Sequence, residues 1–287
     1  MKSIRAFFEL IKFEHTIFAL PFAYLGMLLA ARGLPTWHQF IWITVAMAAA
    51  RTVAMGFNRI ADRWWDARNP RTDQRPLITG KISLRAAWLG TLAAGALLVL
   101  AAWQLGALPL MLLPGALVFL FGYSFTKRFT SLSHYILGFT DGLAPAGAWV
   151  AVRGSAFTTS DLPAWLLLGI VTLWIGGFDI LYACQDVEFD RQHGLHAIPA
   201  ERGVAFALRL STLSHMAVVG LLVWLGFATR LGTAWWVAVA VTAGLLIWEH
   251  RLVNPNDLSK VNVAFFNVNS IIAIVLLAGA VGGMLLP

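Results

Sequence analysis

Long apolar runs separated by short polar stretches fill almost the whole chain. Nine runs stand out, at about 14–31, 40–57, 86–104, 107–125, 134–152, 163–182, 204–226, 232–249 and 264–285. Each is close to the roughly 20 residues that a helix needs to cross the hydrocarbon layer of a bilayer. The pattern therefore predicts an all-α polytopic membrane protein, with about nine transmembrane helices around a central cavity. Residues 1–13 instead place charge and bulk at helical spacing, which predicts an amphipathic helix along the interface. The first run lacks an A-x-A-like end and reads as a span rather than a cleaved signal. Pro21, Pro114 and Pro145 fall inside spans, where a bundle can supply partners for the freed backbone groups. With no long linker and no low-complexity segment, residues 1–287 read as a single domain.

Composition sharpens this reading. Of 287 residues, 59% are hydrophobic and 12% charged, with a mean hydropathy of +0.73; soluble domains carry about a quarter charged residues. One apolar run suits a buried helix of a large soluble protein, but nine do not. The single cysteine, Cys184, excludes a disulfide framework and is expected to pack as a small apolar side chain. A net charge of +7 would point to nucleic acid in a soluble protein. Here the distribution of that charge points to the membrane, with no nucleic-acid partner. With the N-terminus inside, the cytoplasmic segments are 1–13, 58–85, 126–133, 183–203 and 250–263. Together with boundary residues Arg51 and Arg209, they hold all of the 21 basic residues except Arg32, Arg153 and Arg230. By the positive-inside rule this predicts a multi-pass protein of the cell (inner) membrane, N-terminus in and C-terminus out.

Two polar stretches carry chemistry. Asn58, Asp62 and Asp66 are spaced four apart after the second run, and Arg51 lies seven residues before Asn58. On a helix, all four share one slowly turning face. After the sixth run Tyr182, Asp186 and Asp190 repeat the spacing, with Asp179 seven residues before Asp186. Both stripes fall on the cytoplasmic side. Single carboxylates at helix ends often do no more than pair with neighbouring arginines. Two matching stripes would repel unless cations lay between them. Mg²⁺ suits that role, because it takes oxygen ligands and commonly shares them between carboxylates and substrate phosphates. Arg59, Arg63, Arg68, Arg71, Arg75, Lys127 and Arg128 stand ready for the remaining phosphate oxygens. A diphosphate at the mouth of a membrane cavity is most simply a lipid diphosphate.

The stretch from Asn58 through Asp62 and Asp66 to Arg75-Pro76 resembles the first aspartate-rich motif of the UbiA superfamily of intramembrane prenyltransferases. Asp179, Tyr182-Ala183, Asp186 and Asp190 are similar to its second motif. The run Tyr123-Ser124-Phe125-Thr126-Lys127-Arg128-Phe129-Thr130 resembles the basic loop after its fourth span. The resemblance covers essentially the whole chain. Arg59 departs from it, since the family commonly has Asp there, and position 59 is left out of the metal set.

The resemblance implies transfer of a polyprenyl chain from its diphosphate to an aromatic acid, 4-hydroxybenzoate-like, in quinone biosynthesis. It implies Mg²⁺ held by Asn58, Asp62, Asp66, Asp186 and Asp190, and a diphosphate held by Arg68, Arg71, Arg75, Lys127 and Arg128. It also implies an acceptor carboxylate on Arg51, with Tyr182 beside the aromatic substrate. Arg51 has a structural alternative, a pair with Asp141 or Asp179. Asp179, counted with the catalytic aspartates, orients Tyr182 or the acceptor hydroxyl, or makes a packing hydrogen bond. A hydroxynaphthoate of menaquinone biosynthesis is the rival acceptor, since Lys12 to Pro21 and Asn69 to Thr72 look like a bacterial branch of open acceptor preference. A transporter with an intramembrane ion site is the rival of another class. It is disfavoured because the charges gather at one face rather than at the midplane. His193 and His196 read as loop residues, Trp64, Trp65, Trp235 and Trp236 as an interfacial belt, and Asn262, Asn267 and Asn269 as cavity-lining or interhelical groups.

Overall fold

The computed structural model describes residues 2–12, 16–255, 257–261 and 267–285. Asn262 and the Phe13–His15 part of the N-terminal motif lie outside them. Among the described residues the chain is helical: α1 (Lys2–Leu10), α2 (Thr16–Ala31), α3 (Trp37–Ala61), α4 (Arg63–Asp66), α5 (Leu84–Leu105), α6 (Ala107–Thr126) and α7 (Ser133–Arg153) come first. They are followed by α8 (Leu162–Ala183), α9 (Val187–Gln192), α10 (Ile198–Arg202), α11 (Val204–Thr229), α12 (Thr233–Leu252) and α13 (Asn269–Leu285). Over its described residues, every apolar run of the sequence coincides with one long helix. Among the described residues, five segments are long and apolar enough to cross a membrane: Trp37–Ala61, Leu84–Leu105, Ala107–Thr126, Thr159–Gln192 and Val204–Thr229. The helices α2 and α13 are shorter, and α7 and α12 less apolar, so the count of nine spans remains an expectation from the pattern.

The long helices close a ring, because α13 packs back on α2. Helix α2 also crosses to α7 and divides the interior. On one side α2, α7, α8, α11, α12 and α13 share a solid core around Leu167, Ile170, Trp174, Leu222, Trp235 and Leu276. Close approach depends on glycine at two places: a Cβ on Gly26 would collide with the Pro145 carbonyl, and one on Gly138 with the Thr172 carbonyl. The loop into α8 is pinned by Asp161, which accepts hydrogen bonds from Trp149 Nε1, Ser155 Oγ, and the Thr158 amide and hydroxyl. On the other side α3, α5, α6 and α7 surround an apolar cavity of about 420 Å³. Outward residues of α5 and α6 such as Leu92, Trp103, Met111 and Val118 are exposed, the face expected toward lipid.

Trp235 departs from the interfacial role expected of it. It is fully buried, donates its indole N–H to the Leu222 carbonyl at 3.2 Å, and fills the space that Gly226 leaves open. Trp64 is half exposed. Cys184 is buried. Asn269 makes an interhelical bond, its Nδ2 donating to Glu249 Oε1 at 3.3 Å.

Candidate active site

Neither aspartate stripe rides on one unbroken helix. Helix α3 stops at Ala61, Asp62 has φ −93° and ψ 5°, and α4 restarts at Arg63. The Asp66 amide still donates to the Asp62 carbonyl at 2.8 Å, so the stripe survives the break. The second stripe repeats the device: α8 ends at Ala183, a 3-10 turn covers Cys184–Asp186, and α9 begins at Val187. Both breaks fall at a motif aspartate, and at the second the tighter 3-10 turn changes the direction in which Asp186 is presented. Asp66, Asp186 and Asp190 are buried, and all four motif aspartates line one cavity of about 240 Å³ with Asn58, Arg59, Asn69, Arg71, Arg75, Lys127 and Arg128.

Each aspartate has a basic partner. Arg71 clamps Asp186 with Nε on Oδ1 at 2.9 Å and Nη2 on Oδ2 at 2.5 Å, while Asn69 Nδ2 adds a bond to Oδ1 at 3.1 Å. Arg71 Nη1 also donates to the Tyr182 hydroxyl at 2.8 Å, which ties Tyr182 to the carboxylate cluster. Arg75 Nη1 reaches both oxygens of Asp66 at 2.5 Å. Arg128 donates to Asp62 Oδ1 at 3.2 Å, and Asn58 Nδ2 to its Oδ2 at 2.8 Å. Burial nonetheless lifts the Asp62 carboxyl above its ordinary pKa, against the opposing hydrogen bond from Arg128. Lys127 Nζ lies 2.9 Å from Asp190 Oδ2, but both Asp190 oxygens are buried without a well-aligned hydrogen-bond donor.

Several residues land elsewhere than the spacing suggested. Arg68 does not line the cavity: its guanidinium stacks on Trp64 at 3.6 Å and donates to the Trp64 carbonyl. The chain turns after α4, so a residue two positions beyond Asp66 faces away. Arg59 does line the cavity, donating to Asn58 Oδ1 at 3.4 Å and to the Leu10 carbonyl of the interfacial helix at 3.4 Å. Arg51 lines the apolar cavity instead, together with Asp141. Its Nε is buried without a hydrogen-bond partner, and no described carboxylate lies within ion-pair distance, although its charge acts on Asp141. Tyr123 and Leu137 line both cavities, which therefore adjoin. His193 bonds the Phe189 carbonyl and His196 pairs with Glu201, so both fasten the loop.

Two residues to which the sequence assigned no site role, Asn69 and His134, belong to the site. Asn69 orients Asp186, as described above. His134, buried at the start of α7, places Nδ1 2.7 Å from Asp179 Oδ2, and its Nε2 faces the Ile198 backbone N–H at 3.3 Å. Both His134 and Asp179 line the polar cavity. No repeat or spacing marks a lone histidine at a helix start, which is why it escaped notice.

The arrangement can hold a small, doubly charged oxyanion beside hard oxygen donors, with an apolar chamber next to it. Known proteins resemble this chain in sequence and fold. The model of the UbiA prenyltransferase family matches residues 19–271. A 4-hydroxybenzoate octaprenyltransferase of Nitrosospira multiformis is 31% identical over 85% of this chain and 82% of its own. The apo structure of a UbiA homologue from Aeropyrum pernix superposes with a TM-score of 0.85 at 37% identity, covering 93% of this chain and 96% of that one. A UbiA homologue from Archaeoglobus fulgidus, solved bound to GPP and Mg²⁺, shares the fold with a TM-score of 0.66 at 19% identity, over 96% and 99% of the two chains. The chain described here belongs to the UbiA prenyltransferase family.

Proposed function

We propose that this protein moves a polyprenyl group from its diphosphate to an aromatic acid, 4-hydroxybenzoate or a close analogue, in quinone biosynthesis. The observation that carries the reading is the convergence of both aspartate stripes and their basic partners on one cavity that adjoins an apolar chamber. The family and the substrate named for the Nitrosospira relative support it.

The donor set fits Mg²⁺. Asn58, Asp62, Asp66, Asp186 and Asp190 offer oxygens, and Asp190, buried with only the Lys127 ammonium beside Oδ2 and no hydrogen bond to Oδ1 from any described residue, is in a state that a bound cation would relieve. When bound, Mg²⁺ supplies Lewis acidity that stabilises the departing diphosphate. Arg71, Arg75, Lys127 and Arg128 now neutralise the aspartates. On arrival of metal and diphosphate they exchange partners and turn to the phosphate oxygens. The apolar chamber takes the prenyl tail and keeps water from the allylic cation. Arg51, with no ion-pair partner among the described residues, takes the acceptor carboxylate, which presents the ring to the cation. The cytoplasmic placement of the site follows from the distribution of Lys and Arg.

The test offers the purified protein geranyl diphosphate with Mg²⁺ and an equimolar mixture of 4-hydroxybenzoate and a hydroxynaphthoate. Preferential prenylation of the benzoate supports the proposal. Exclusive prenylation of the naphthoate would overturn the acceptor while keeping the donor.

A further inference from the structure

The polar cavity contains a histidine–aspartate pair outside the set that would hold metal and diphosphate. His134 Nε2 faces the Ile198 backbone N–H at 3.3 Å. An amide N–H only donates, so Nε2 must be an acceptor and carry no proton. The ring proton is therefore on Nδ1, which donates to Asp179 Oδ2 at 2.7 Å. The imidazolium form would set two N–H groups against each other at Ile198, so the hydrogen-bond network selects the neutral tautomer. The ring is nearly fully buried, and the Ile198 segment is itself tied down by the His196 amide on the Lys127 carbonyl at 2.7 Å. One face of the Asp179 carboxylate is thus fixed by a rigid donor. Oδ1 receives no hydrogen bond from any described residue, and the side chain is about a quarter exposed in the cavity.

We infer that His134 is a positioning residue, which locks Asp179 so that its free oxygen accepts the hydroxyl proton of the aromatic acceptor. The inference rests on the reading of the cavity as a prenyl-transfer site. Asp179 Oδ1 takes the phenolic proton as a ring carbon forms its bond to the allylic carbon. The allylic C–O bond breaks with its electron pair going to the diphosphate. The ring then sheds its hydrogen as a proton to a diphosphate oxygen, and Asp179 returns its proton to the acceptor oxygen. A carboxylate free to rotate would meet this geometry only part of the time.

The two ring nitrogens make the idea testable, because different amides imitate them. Asparagine can place its Nδ2 where His134 Nδ1 stands, whereas glutamine reaches the Nε2 position. With geranyl diphosphate, Mg²⁺ and 4-hydroxybenzoate, His134→Leu and His134→Gln should lower kcat about 10- to 100-fold. The KM for geranyl diphosphate, and its Mg²⁺-dependent protection against thermal unfolding, should stay near wild type. His134→Asn should recover kcat to within about threefold of wild type, the loss of a single well-oriented bond being the difference at issue. In an Asp179→Asn background, His134→Leu should add little further loss, since the two act as a unit. Equal defects in His134→Asn and His134→Leu, or a loss of diphosphate protection in both, would reduce His134 to a structural residue and overturn the inference. An inactive wild-type protein would instead overturn the transferase reading on which it rests.

Discussion

Lys127→Met offers a sharp view of how the site holds itself together before ligands arrive. Lys127 Nζ stands 2.9 Å from Asp190, whose side chain is only 1% exposed, whereas Lys127 is 34% exposed. At that separation and an effective dielectric constant of about 20, the bare attraction is about 6 kcal/mol. Desolvation of Asp190 and solvent around Lys127 leave a net value of about 1–2 kcal/mol. Mg²⁺ arriving alone must displace the lysine and forfeit that amount. Removing the ammonium group should therefore tighten Mg²⁺ binding in the absence of diphosphate by about 5- to 30-fold. The same change should weaken geranyl diphosphate in saturating Mg²⁺, because a charge-assisted contact is lost. The assay is the thermal unfolding midpoint of the purified protein across a Mg²⁺ titration, with and without geranyl diphosphate. Lys127→Met should melt lower than wild type without metal and gain more from Mg²⁺. An unchanged Mg²⁺ response, or a weaker one, would refute the partner exchange.

Other outcomes follow from the same geometry. Asp62→Ala or Asp186→Ala should abolish prenyl transfer while far-UV circular dichroism shows a folded protein, since the freed Arg128 and Arg71 are each about a third exposed and can be solvated. Arg51→Ala should raise the KM for the aromatic acid more than that for the prenyl diphosphate; the opposite ranking in steady-state kinetics would return Arg51 to a structural role. Asp161→Ala removes the acceptor of four hydrogen bonds at a fully buried position, and should cost about 2–4 kcal/mol, read as a lowered unfolding midpoint.

The fold was legible because hydrophobic runs of spanning length leave a chain few choices. Each run became a helix, with ends shifted by several residues at most. The polar site was legible in part, because the four-residue spacing of the aspartates survives the breaks at Asp62 and Asp186. What the spacing did not carry was where the broken turns point. Arg68 follows a turn of the chain and stacks outward on Trp64. Asn69, in the same turn, reaches inward to Asp186. Arg51 shares its helical face with Asn58, yet seven residues amount to about 10.5 Å of rise. That depth carries it out of the polar cavity into the apolar one. His134 and Trp235 were missed or misread for one reason: each is defined by contacts far away in the chain, at Asp179 and Ile198 for one and at Leu222 and Gly226 for the other.

The most direct test of the central claim is product formation by the purified wild-type protein in lipid, supplied with geranyl diphosphate and 4-hydroxybenzoate. Mass spectrometry would identify the product with Mg²⁺ present and again after EDTA. Ring-geranylated hydroxybenzoate that forms with Mg²⁺ and vanishes with EDTA is the predicted result. The same product in equal yield after EDTA would contradict the metal–diphosphate site built by Asp62, Asp66, Asp186 and Asp190.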